Sequence, residues 1–435
     1  MQVSVEKLDG LERRMTVQVP AEEIDQEIQN RLRDLTRKVK IHGFRPGKVP
    51  YKVVKRMYGP QVRKEVLGEV MQSSFQDAIE QEKLRPTGRP QIEPKNMEEG
   101  HNMEYSATFE VLPDFELQGI EGLKVERPIA EVTESDIDNM LETLRKQRVR
   151  WNDTDRSAQE GDRVTITFEG KLDGEGFPGH KGEHVPVVIG DGAMLKDFEE
   201  RLIGSQSGNT LEFDMVFPNN YHNKTLADKQ VHFTVAVEAV AEPQLPEIND
   251  EFIASFDIKD GDMEAFRAAL KENMERELSE AVKIDIKRQV MQGLIDANDI
   301  PLPQAMVNDE VAHLAKQSGF PEDSEKEEQE TTKNKLFEAE ARRRVALGLI
   351  IARLVSANDI KVDNARVYAH LETIASRYQD QDVQAVMQVY QQNPQLMESI
   401  RNLVLEDQVV DWLLERAEIS DKPGSFDDVM KPQTA

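Results

Sequence analysis

The densest chemistry in this sequence lies in one short run, Gly43-Phe44-Arg45-Pro46-Gly47-Lys48-Val49-Pro50. Two glycines and two prolines in eight residues cannot continue a helix, so the run is a loop. It sets the ring of Phe44 beside the cations Arg45 and Lys48. An exposed aromatic flanked by cations suits docking on a polyanionic, ribonucleoprotein-like surface: the charges steer and meet phosphate or carboxylate, and the ring fills a pocket. The plainer alternative is a structural turn with Phe44 tucked against its own domain. A second constellation comprises Phe168, Phe177, Met194, Leu195, Phe198, Tyr221, His222 and Phe233, set among Gly170, Gly174, Gly176, Gly190 and Gly192. Taken alone, such residues are most often the core of a β-rich domain. Covalent and metal chemistry find little support. The chain has no cysteine, hence no thiolate nucleophile, thiolate metal site or disulfide. His180 and His184 are four apart but sit in a glycine-rich turn without a third ligand. No Walker-type loop or dinucleotide fingerprint occurs, since Gly190-Asp191-Gly192 alone is too little. No metal or cofactor is expected, and any working cycle must run without bound ATP.

The elements that position these groups follow from periodicity. Met15, Val17 and Val19 alternate as in a strand, and after Pro20 the spacing of Ile24, Ile28, Leu32 and Leu35 predicts a helix. A short helix over Tyr51–Tyr58 is expected to stop at Gly59, with Pro60 opening a longer one that turns Val62, Val66 and Val70 inward. Tyr105, Ala107, Phe109 and Val111 alternate again. Thr133 followed by Asp136 reads as a capping box for a helix running to about Arg150. Between Asp162 and Val240 short alternating runs separated by glycine-rich turns predict a compact antiparallel β domain. Pro243 and Pro246 read as a linker. Long helices are expected beyond it, over Met263 to Asn298, Pro303 to Gln317 and Leu336 to Asn358, with a polar loop or helix tip over Glu322 to Lys335. Two of these helices end on the same phrase, Ala297-Asn-Asp-Ile300 and Ala357-Asn-Asp-Ile360.

At 435 residues the chain suggests several domains, and 38% apolar with 31% charged residues fits long, solvated helices. The net charge of −27 is unevenly spread. Between Arg31 and Lys64 there are twelve basic residues and one acid, Asp34, a local charge of +11. Such asymmetry points to a basic module that meets a polyanion, carried by an acidic body that avoids non-specific binding, direct DNA binding included. A solvated charged helix face is the alternative. No secretory leader or run of about 18 apolar residues is present, so a cytoplasmic protein with no membrane partner is expected.

The Gly43–Pro50 run resembles the ribosome-docking signature of trigger factors, although Pro46 stands where some members carry Lys. The β domain is similar to FK506-binding proteins in Gly190-Asp-Gly-Ala-Met-Leu195 followed by Phe198-Glu199, and in Phe217-Pro-Asn-Asn-Tyr221-His222. It departs from them at Lys196-Asp197, where Pro-Gly is usual, at Pro178, where an acid is usual, and at Val185, where an aromatic is common. The resemblance implies a multidomain α+β chain: an N-terminal α/β ribosome-binding module over 1–112, a linker and first part of a helical body over 113–150, an inserted FKBP-like antiparallel β domain with a short helix over 151–243, and an all-α body with arms over 244–435. It implies that Phe44, Arg45 and Lys48 contact the large ribosomal subunit beside the exit tunnel. It further implies a peptidyl-prolyl cis-trans isomerase whose catalytic pocket is lined by the eight residues of the second constellation, Tyr221 donating to the substrate carbonyl. The helical body, with Met274, Met291, Met306, Met387 and Met397, would hold nascent and unfolded chains on adaptable surfaces, ordinary helix packing being the alternative. The family commonly dimerises when free.

Three function classes stay distinct at this point. One is a ribosome-bound chaperone and isomerase; the second is a free isomerase whose flanking domains bind substrate; the third is an adaptor with an inert FKBP-like domain. The basic window separates the first from the others.

Overall fold

The computed structural model describes all residues except 43, 45–47, 173, 178, 220, 222, 225, 257, 259–261, 321–326, 377–382 and 432–435. The chain divides into two compact units, one formed by residues 1–127 and 283–422, the other by 128–282 and 423–435.

The first unit begins with a four-stranded antiparallel sheet in the order Gln2–Lys7, Glu12–Val19, Met103–Val111, Pro86–Asn96. Met15, Val17 and Val19 face Ala107, Tyr105 and Met103 in register, and all six are buried. Against this face pack the helices Ala21–Lys38 and Tyr51–Glu82. The expected break at Gly59 and Pro60 does not occur: Tyr51–Glu82 is one helix with Pro60 inside it. A proline within a helix costs about 3 kcal/mol. Val54, Val62 and Val66 share one fully covered stripe across it, and burying each is worth about 1.5–3 kcal/mol. Arg56, whose carbonyl loses its helical partner, is exposed to water.

The helical part of this unit is built from three clusters. Gln304–Gln317 pairs with Glu327–Ala357 through Val307, Val311, Ala341 and Val345. Asn364–Ser376 packs on Pro394–Leu414 through Val367, Leu371, Ile400 and Val404. The third cluster joins Leu123 and Val125 to Leu294, Ile350, Leu354 and Leu413. Here the repeated phrase acquires a physical meaning. Asn298 donates from Nδ2 to the Leu294 carbonyl at 2.8 Å, and Asn358 to that of Leu354 at 2.9 Å. Each asparagine thus caps its own helix end, while Leu294 and Leu354 are buried and Ile300 and Ile360 pack on the same cluster. Asn298 also exchanges hydrogen bonds with the backbone of Gln118.

In the second unit a five-stranded antiparallel sheet runs Arg150–Asp153, Gln230–Gln244, Arg163–Lys171, Lys181–Val188, with Thr210–Val216 pairing the first half of Gln230–Gln244. The short helix Lys196–Leu202 covers it through Phe198 and Leu202. Pro243, expected in a linker, is still in the strand opposite Trp151. Pairing with Arg163–Lys171 ends at Ala241, so Pro243 has a paired strand on one side only, where a missing N–H is tolerated. A separate cluster gathers Ile137 and Leu141 from the helix Glu134–Gln147 with Phe252, Phe266, Met274 and Phe426. The expected capping box is formed: the Thr133 N–H donates to Asp136 Oδ2 at 2.9 Å, and the Asp136 N–H to Thr133 Oγ1 at 3.3 Å.

Segment 113–150 is therefore shared. Residues around Leu123 serve the first unit and the helix Glu134–Gln147 serves the second. Met274 and Met291 are core, so adaptable-surface chemistry does not extend to them, whereas Met306, Met387 and Met397 are half-buried. No described helix is long and apolar enough to cross a membrane.

Candidate functional sites: an apolar cavity and a cationic loop

Gly170 and Gly182 begin the cavity. A Cβ on Gly170 would stand 2.7 Å from the ring of Phe233, and one on Gly182 would stand 2.5 Å from Phe168. A side chain at either position would displace these rings. Phe168, Phe198, Phe213 and Phe233 then interlock, with Phe198 edge-on to Phe233 at 5.4 Å and to Phe168 at 6.0 Å. Phe217 meets Tyr221 at 4.7 Å and Phe177 at 6.4 Å. Edge-to-face contacts of this kind fix ring orientation beyond what burial alone does.

Over these rings opens a cavity of about 460 Å³. Seven of the eight expected residues line it: Phe168, Phe177, Met194, Leu195, Phe198, Tyr221 and Phe233. His222 lies outside the described residues. Gly179, Gly192, Ala193, Met215, Phe217, Asn223 and Leu226 complete the lining. Gly179, Met215, Asn223 and Leu226 were not singled out from the sequence; Met215 shares the strand alternation of Phe213, the one signal that marked it. Of the departures from the FK506-binding pattern, Val185 packs against the domain core, Lys196 and Asp197 are exposed in the first turn of their helix, and Pro178 lies outside the described residues.

Among its described lining residues the cavity holds no carboxylate and no basic side chain. Apolar rings with a few polar groups can bind a small apolar ring and its flanking amides, and exclude water from them. Among the described residues no group of three His, Cys, Asp or Glu is placed to hold a metal. On the flank of the sheet His184 Nδ1 meets Glu238 Oε2 at 2.6 Å, and Glu238 also accepts from Thr167 at 2.7 Å. The bond to Glu238 and its charge raise the imidazole above its ordinary value.

The basic window has the opposite character. Phe44 is 40% exposed, and Lys48 is exposed; Arg45 lies outside the described residues. Arg31 pairs with Glu69, and Arg63 donates to the Met97 carbonyl at 2.8 Å. Arg33, Arg37, Lys38, Lys40, Lys48, Lys52, Lys55, Arg56 and Lys64 are all exposed, and none has a carboxylate within ion-pair distance among the described residues.

Comparison with known proteins decides the family. Models for the bacterial trigger factor N-terminal part and C-terminus match residues 1–144 and 262–415, and a model for FKBP-type peptidyl-prolyl cis-trans isomerase matches 154–238. The trigger factor of Alkalilimnicola ehrlichii is 48% identical over 434 residues, covering 100% of this chain and 96% of its own. The chain belongs to the trigger factor family. The trigger factor of Thioalkalivibrio sulfidiphilus is similar at 47% identity, with 100% and 99% covered. A solved structure of a trigger factor chaperone, described for promiscuous substrate recognition in folding and assembly, aligns over 95% of this chain and 99% of its own with a TM-score of 0.52. At 21% identity that likeness speaks for the multidomain α+β fold. Trigger factors are folding chaperones whose known role includes ribosome docking. The protein is accordingly a molecular chaperone with an FKBP-type domain and peptidyl-prolyl cis-trans isomerase activity.

Proposed function

We propose that two separate sites carry this function. The aromatic cavity is the isomerase site, with Phe168, Phe177, Met194, Leu195, Phe198, Tyr221, His222 and Phe233 acting on the X-Pro bond. The 43–50 loop is the ribosome contact, with Phe44, Arg45 and Lys48 meeting the large subunit beside the exit tunnel. Residues 1–112 form the docking module, 151–243 the isomerase domain, and 113–150 with 244–435 the chaperone body, working in the cytoplasm on nascent and unfolded chains.

The chemistry asked of the cavity is rotation about an amide whose barrier is about 18–20 kcal/mol. No nucleophile is required. A dry apolar wall disfavours the charge-separated resonance form of the amide, which weakens its double-bond character. The rings hold the proline while the chain turns, and Tyr221 donates to the substrate carbonyl. For clients the body offers dispersed apolar groups, among them Ile284, Leu336, Tyr368 and Val389, all exposed. Weak contacts suffice, because docking at the tunnel supplies a high local concentration of client. Folding of the client then buries the segments that were held, so release needs no ATP.

The observation that carries the docking assignment is Phe44, exposed in a sequence window with nine exposed cations that lack an acid partner among the described residues. Its test is co-sedimentation with bacterial ribosomes. The wild-type chain is expected to pellet with them and Phe44→Ala/Arg45→Ala/Lys48→Ala to stay in the supernatant with isomerase activity intact. Failure of the wild-type chain to bind at low salt would leave a free isomerase as the better reading.

A further inference from the structure

One wall of the cavity is a loop. Gly192, Ala193, Met194 and Leu195 line the space, between the strand Lys181–Val188 and the helix Lys196–Leu202; Leu195 caps that helix, its carbonyl accepting from the N–H of Phe198 at 2.8 Å, whereas Gly192, Ala193 and Met194 belong to neither element. Their order comes from one side chain. The carboxylate of Glu199, only 3% exposed, accepts from the N–H of Gly190 at 2.9 Å, of Gly192 at 3.3 Å and of Met194 at 2.8 Å. Gly190 and Gly192 have φ of +91° and +76°, a region open to glycine, and this turn aims three N–H groups at one carboxylate. The neighbouring Phe198 is locked among Phe168, Phe213 and Phe233, so the group that clamps the wall is itself anchored in the cavity floor.

We propose that Glu199 is a positioning residue for prolyl isomerisation: its carboxylate holds the 190–194 wall in its binding shape before substrate arrives. The proposal rests on the cavity being the isomerase site. Without the clamp three N–H groups lose their acceptor, and the substrate must order the wall as it binds. The wall meets the proline alike in its cis, trans and twisted states. The loss therefore falls on ground state and transition state equally and shows in KM.

The test uses the full chain and a proline-containing peptide. Glu199→Gln keeps the size of the side chain but replaces one acceptor oxygen with a donor facing the N–H groups. KM is expected to rise about tenfold with kcat held within about twofold. Wild-type values of both would overturn the proposal. A lower kcat at unchanged KM would overturn it too, because that is the mark of a smaller folded fraction and of a purely structural role. Tyr221→Phe, measured alongside, separates the two readings. Full activity in both variants sinks the cavity assignment; reduced activity in Tyr221→Phe with Glu199→Gln unchanged sinks only the clamp. Should Glu199→Gln fail to fold, amide exchange in the wild-type chain decides. Protected N–H groups at Gly190, Gly192 and Met194 are expected, and exchange as fast as in an exposed loop overturns the clamp.

Discussion

The two sites are built on opposite principles. The proposed docking run is contiguous in sequence and cationic, and of its described residues Phe44 and Lys48 are exposed. The cavity draws its lining from strands, a helix and loops spread between Phe168 and Phe233, where neighbouring rings fix one another. A surface that meets phosphate gains from unpaired charge, and nine exposed cations of the basic window have no acid partner among the described residues. A pocket that weakens an amide resonance gains from the absence of charge, and its described lining has none. One chain can keep both because they share no residue.

The strongest challenge to that separation is Phe198→Ala. Removing a ring packed against three others is expected to destabilise the β domain by about 3–5 kcal/mol and to lower kcat/KM by roughly tenfold to a hundredfold. Thermal unfolding and a proline-peptide assay read the two effects. Ribosome co-sedimentation should be unchanged; its loss would break the separation. A smaller effect comes from salt. Raising it from about 50 to about 200 mM should weaken ribosome binding by about tenfold or more, while kcat/KM stays within about twofold because the described lining of the cavity carries no charge. An equal response of both activities would contradict the contrast.

The smallest effect concerns a histidine–carboxylate pair on the flank of the β domain, His184 with Glu238. Glu238 raises the imidazole of His184, so the pair contributes its stability where His184 is protonated folded and unfolded alike, below about pH 6. That contribution is lost as pH rises through the raised folded value. His184→Gln should therefore lower Tm slightly in mild acid and not at about pH 9, as differential scanning calorimetry would read; a larger gap at high pH would reverse the assignment.

Local features survived the passage from sequence to structure wherever a local physical cause was sufficient. The strand alternation of Met15, Val17 and Val19, the Thr133 capping box and the two asparagine-ended helices depend on residues within a few positions of one another. The Gly43–Pro50 run could be read as a cationic loop from the sequence alone, since charge and breaker residues act where they stand. Seven of the cavity residues could be named ahead only through a family likeness; composition and alternation alone left them as core. What the sequence determined by itself was the uneven charge, the absence of thiol chemistry and the period of those strands and helices whose apolar residues recur regularly. Tertiary structure decided the rest. It carried one helix through Pro60, because the buried stripe of Val54, Val62 and Val66 outweighs the break, and it divided segment 113–150 between two cores. It also gathered distant rings around one cavity, for burial is summed over neighbours in space and the order of residues along the chain does not say which neighbours those will be.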